Sequence, residues 1–130
     1  MLRTGDQYRE SIRDGRNVWV DGKKVDDVPN HPAFKPIVDI RARIYDMAHE
    51  KQFAEKLSYI DENTNEKNCI GSKLPKTQKD WSLKREAIKT IMYEIGAVVT
   101  RVGDETAGEM WSLYDGTDIL NEVDPRFGKN

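Results

Sequence analysis

Apolar residues recur along this chain in two rhythms, and the longest run has helical spacing. Trp81, Ile88, Ile91, Met92, Ile95, Val98 and Val99 fall on one stripe, which predicts a helix from just after Thr77 to about Val99. Thr77 is its N-cap, with Asp80 at the third position to serve the first free amides. A second helical pattern follows Pro32, where Phe34, Ile37, Val38, Arg41, Ile44, Tyr45 and Ala48 share a side as far as about Glu50. Asn30 or His31 stands near its cap, and Pro36 falls early enough that its missing amide costs little. Thr4-Gly5-Asp6-Gln7 fits a capping box for a short helix to about Arg13, with Gly15 suited to a left-handed stop. Near the other end, Gly103 ends or bends the long helix, and Asp104 caps another that carries Met110, Trp111 and Tyr114 towards Gly116. A last helix from Thr117 to about Glu122 stops ahead of Pro125.

The alternating rhythm is confined to short stretches. Val18-Trp19-Val20 and Lys23-Lys24-Val25 flank Asp21-Gly22, the sequence of a two-residue type I′ hairpin. Leu57–Ile60 and Asn68–Gly71 predict a second hairpin around the polar loop Asp61–Lys67. The fold class is therefore mainly α with one or two small β-hairpins, in one α-rich domain over 1–130. Residues 124–130 read as a linker with Phe127 as its single apolar anchor.

Bulk properties narrow the function. The chain has 130 residues, 37% hydrophobic and 34% charged, with a formal net charge of −2. No basic field exists to collect phosphates, so nucleic acid is not an expected partner. No apolar run reaches the roughly 20 residues of a membrane helix. The start lacks an apolar signal segment, and a cytoplasmic location is expected.

Few residues carry candidate chemistry. Arg101 follows an apolar run and precedes Asp104 and Glu105, so its guanidinium either holds an anionic oxygen or pairs with its neighbours. Asp104 and Glu105 are adjacent and point about 100° apart on a helix, which excludes a facing carboxylate pair. His31 and His49 lie outside any metal-binding spacing, and no metal is expected. Cys69 is expected as a small buried or half-buried residue, since no histidine nearby would activate it. Trp111 and Tyr114 belong either to a core or to the wall of an aromatic pocket.

Taken together, Tyr8 with Ser11, Asp14-Gly15-Arg16, the hairpin from Val18 to Val25, His31-Pro32-Ala33-Phe34, Tyr45-Asp46 and His49 resemble the opening of the 4-hydroxyphenylacetate 3-hydroxylase family. The match continues through Asp80, Lys84-Arg85 and Ala87-Ile88 to Arg101. The resemblance implies an acyl-CoA-dehydrogenase-like architecture of three domains, with this chain the N-terminal helical one and 124–130 leading to a β-domain. It also implies a homo-oligomeric oxygenase that takes reduced FAD from a separate flavin reductase and hydroxylates a phenolic substrate. Arg101 matches the family's arginine at the substrate, and Glu105 stands where a tyrosine usually follows it. The expected substrate-binding residues are therefore Arg101, Glu105 and Trp111, with Arg101 also catalytic and the flavin-binding segments beyond residue 130. The alternative is a stand-alone small subunit docking on a separate flavin-binding chain. A 4-hydroxybutyryl-CoA dehydratase of the same superfamily ranks below both, because two of its cluster cysteines would fall near Val98 and Val102, and valine cannot ligate iron.

Overall fold

The Thr4 hydroxyl accepts the Gln7 amide at 3.2 Å, and the Gln7 side chain accepts the Thr4 amide at 2.9 Å. This reciprocal pair starts helix α1 (Gly5–Ser11). The computed structural model describes residues 2–97 and 113–127. Gly15 is left-handed, at φ +79°, but it lies in the turn after α1, which ends with Ile12 as its cap.

Strands β1 (Val18–Val20) and β2 (Lys23–Val25) pair antiparallel, with Val18 opposite Val25. Asp21 and Gly22 both have positive φ, 50° and 75°, as a type I′ turn requires. The predicted first hairpin is therefore present in its predicted register.

Helix α2 (Lys35–Met47) begins later than Pro32 and ends before Glu50. The His31 carbonyl accepts the amides of both Phe34 and Lys35, so a tight turn precedes the helix proper. Val38, Ala42 and Met47 are its buried residues, whereas Ile37, placed on the apolar side by spacing, is 44% exposed. A one-turn helix α3 (Ala54–Leu57), too short to leave a periodic signal, leads directly into β3 (Ser58–Ile60). This strand pairs with β4 (Lys67–Cys69), as the second predicted hairpin. A 3-10 turn, Ile70–Ser72, follows.

Helix α4 (Gln78–Ile95) has the predicted capping box from Thr77 and Asp80. It stops short of Val99 because Gly96 and Ala97 both turn left-handed, and the Met92 carbonyl accepts both of their amides. Its buried stripe also differs from the expected one. Asp80, Lys84, Ala87 and Ile91 face inward, while Trp81 is 59% exposed. Residues 113–115 are helical, and α5 (Thr117–Val123) matches the last predicted helix.

The core forms where α2, α3, the 3-10 turn and α4 meet, around Met47, Leu57, Ile70, Ala87 and Ile91. Helix α1 packs on α2 through Gly5, whose amide donates to Asp46 at 2.7 Å. A Cβ on Gly5 would sit 2.5 Å from the Asp46 carboxylate and 2.8 Å from the Ala42 carbonyl. Gly5→Ala is therefore expected to destabilise the chain by about 1–3 kcal/mol, read as a lower urea midpoint.

Candidate functional site

Arg101, Glu105 and Trp111 lie outside the described residues, so the structure neither joins nor separates them. It does describe the frame that precedes them. Helix α4 is fixed at both ends by polar contacts, and the chain leaves it at Gly96, five residues before Arg101.

At the N-terminal end, the Asp80 carboxylate accepts from Lys73 Nζ at 2.6 Å, the Thr77 hydroxyl at 2.8 Å, and the amides of Thr77 and Lys76 at 2.9 and 3.1 Å. The Lys73 ammonium, with Thr77, holds this carboxyl well below the usual carboxylate range. One turn on, the buried Lys84 Nζ donates to the carbonyls of Gly71 at 2.5 Å and Lys73 at 3.2 Å. Asp80 and Lys84 thus tie α4 to the segment leaving the second hairpin. A carboxyl depressed on folding stabilises fully above its unfolded value, near pH 4, and loses that contribution as pH falls towards its folded value. The gap in urea midpoint between the native chain and Asp80→Asn should therefore be constant from about pH 7 to 5 and narrow below about pH 4.

Towards the C-terminal end, Arg43 on α2 donates to Glu94 on α4 at 3.0 and 2.6 Å and also pairs with Glu50. Its guanidinium lies 5.8 Å from the centre of the Phe53 ring. These contacts lock the α2–α4 crossing.

Between those two ties lies a cavity of about 200 Å³. Ile44 and Tyr45 of α2, and Ile88 and Ile91 of α4, form much of its wall, with Arg3 and Arg41 as its charged lining. Tyr45 packs on Tyr8 with ring centres 5.2 Å apart, and the Arg3 guanidinium sits 5.9 Å from the Tyr45 ring. Cys69 also borders the cavity and is exposed, contrary to expectation, because β4 is an edge strand of a two-stranded sheet. His31 Nδ1 accepts the Ala33 amide at 3.2 Å, and His49 Nε2 meets the Arg3 carbonyl at 3.2 Å, so both rings tie down local backbone.

Residues 4–130 match the family described as 4-hydroxyphenylacetate 3-hydroxylase N terminal. The chain belongs to the 4-hydroxyphenylacetate 3-hydroxylase family. It is 34% identical over 105 residues to the 2,4,6-trichlorophenol monooxygenase of Cupriavidus pinatubonensis, covering 80% of this chain and 20% of that protein. The solved oxygenase component of 4-hydroxyphenylacetate 3-monooxygenase, in complex with FAD and 4-hydroxyphenylacetate, matches 71% of this chain and 19% of its own, with TM-score 0.65 and 32% identity. An archaeal 4-hydroxybutyryl-CoA dehydratase from N. maritimus matches 99% of this chain and 26% of its own, with TM-score 0.75 and 23% identity, a likeness of fold. The fold is accordingly the helical N-terminal domain of the acyl-CoA-dehydrogenase-like architecture, and this member of the hydroxylase family spans about a fifth of the trichlorophenol enzyme's length.

Among the residues that organise this family member, Asp80 was legible as a cap but not as a buried ion, and Lys84 carried no local signal. Their partners come from the segment before α4, which helical periodicity does not register.

Proposed function

We propose that this chain is the N-terminal domain of a reduced-FAD-dependent phenol monooxygenase, in which it supplies one wall of the aromatic pocket. The observation that carries this reading is the family match across residues 4–130, supported by relatives that act on phenols. Arg101 sits at the substrate and stabilises negative charge on the phenol oxygen, which enriches the ring for attack. Glu105 accepts a hydrogen bond at the same end of the ring, since an ionised carboxylate has no proton to donate. Trp111 lines the aromatic wall. FAD, bound by segments beyond residue 130 and reduced by a separate reductase component, supplies the activated oxygen.

In this reading residues 1–130 are the first of three domains, 124–130 lead into a β-domain, and the assembled enzyme is a cytoplasmic homo-oligomer. Among the described residues, no helix is long and apolar enough to cross a membrane. Several large apolar side chains remain exposed, including Tyr93 at 80%, Ile119 at 69% and Val123 at 74%. Such exposure fits a surface that other domains cover. It fits equally a small subunit docking on a separate flavin-binding chain. Reading the coding frame past Asn130 separates the two: several hundred further codons support the domain, and a stop codon supports the subunit.

The activity test uses the full-length protein with reduced FAD, oxygen and a panel of phenols, scoring hydroxylated product against hydrogen peroxide. Product from at least one phenol is expected, and none from any phenol would overturn the reading. Residues 1–130 alone are expected neither to retain FAD on gel filtration nor to hydroxylate any phenol; turnover by this piece would refute the division of labour.

A further inference from the structure

The residues ahead of α1 reach the cavity between α2 and α4. Leu2 is half-buried, packs against the cluster that includes Met47, Leu57 and Ile91, and lines the cavity together with Arg3. Arg3 is held by contacts of its backbone and its side chain. His49, just past the end of α2, donates from Nε2 to the Arg3 carbonyl at 3.2 Å, since a carbonyl can only accept. The Arg3 guanidinium lies 5.9 Å from the centre of the Tyr45 ring and donates a long hydrogen bond to Ser11 at 3.4 Å. Both hydrogen bonds are exposed, and segments held in that way open locally at low free energy.

From Thr4 onward the attachment changes in kind. Thr4 closes the capping box of α1 with Gln7, and the buried Gly5 donates to Asp46 at 2.7 Å, so close to α2 that a Cβ there would meet the Ala42 carbonyl at 2.8 Å. The chain is thus firmly docked from Gly5 and lightly held before Thr4. We propose that Leu2 and Arg3 form a strap that gates the entrance to this cavity, swinging just ahead of Thr4 while α1 stays docked on α2. With the strap closed, Leu2 completes the apolar wall that Ile44, Ile88 and Ile91 begin, and His49 latches the Arg3 carbonyl. With it open, Leu2 leaves the cluster and the entrance widens. The device requires neither flavin nor phenol, so its failure and that of the monooxygenase reading are separate.

The test uses the 130-residue chain, isotope-labelled at isoleucine methyls, with the neutral nitroxide 4-hydroxy-TEMPO, whose unpaired electron broadens every methyl it can approach. His49→Phe keeps a ring and removes the donor, so broadening of the Ile44, Ile88 and Ile91 methyls should rise about threefold or more. His49→Gln restores an amide donor and should bring the broadening back to within about twofold of the native value. Leu2→Gly opens the entrance by a second route and should raise the same three methyls. In every variant the exposed Ile37 and Ile119 methyls should stay constant, and the Gly5 amide should keep its hydrogen-exchange protection, because its bond to Asp46 lies beyond the hinge. A rise in Leu2→Gly but not in His49→Phe would make Leu2 a fixed wall and overturn the gate. No rise in either variant, no recovery in His49→Gln, a rise shared by Ile37 and Ile119, or loss of Gly5 protection alongside the rise would each overturn it as well.

Discussion

On the proposed function, Arg101→Ala in the full-length protein should lower phenol hydroxylation by roughly 10²–10³-fold, the usual effect of removing one preorganised group at developing charge. Oxygen consumption should fall far less, with the difference appearing as hydrogen peroxide. That split matters because a purely structural arginine would depress both together through loss of folded enzyme. Arg101→Lys keeps the charge but not the two-pronged geometry, so it should recover part of the coupling. Unchanged coupling in Arg101→Ala would assign the residue to structure, pairing with Asp104 or Glu105 instead of substrate. A circular dichroism melt on each variant keeps misfolding from passing as lost catalysis.

Met47→Ala is the substitution expected to cost most in stability. Met47 is fully buried, at 0% exposure, and sits in the cluster that joins α2 to Leu57, Ile70 and Ile91. Truncation removes the apolar contacts and leaves a void that the crossing of α2 and α4 cannot close, because Arg43 ties α2 to Glu94 on α4. A loss of about 2–5 kcal/mol follows, measured by urea denaturation. Met47→Leu conserves volume and should lose less than about 1.5 kcal/mol. Equal losses in the two variants would show that the site tolerates no change of shape, rather than that it lacks volume.

Local chemistry made much of this fold legible in sequence. Thr4 with Gln7, Thr77 with Asp80, and Asp21-Gly22 each specify a structure through atoms a few residues apart, and each appears as expected. The inward face of α4 was misjudged for the opposite reason. Trp81 looked like the first core residue, yet the helix turns Asp80 and Lys84 inward, and those charges are tolerable only because Lys73 and Gly71 reach them from outside the helix. In α2 the same limit put Ile37 on the buried side and passed over Ala42, which is fully buried and whose backbone carbonyl lies where α1 approaches through Gly5. The cavity was not legible at all, since its walls come from segments as far apart as Arg3 and Ile91. For Arg101 and Trp111 the residue pattern leaves a site role and a structural role both open, the family resemblance favours the site role, and their positions fall outside the described residues.

The two left-handed residues at the end of α4 also set a limit on what can be engineered there. Gly96 adopts its backbone freely, but Ala97, at φ 56°, holds a conformation that costs an L-residue about 1–2 kcal/mol. Position 97 is thus a point of backbone tension where the chain leaves α4: glycine would relax it, and a β-branched residue would resist it.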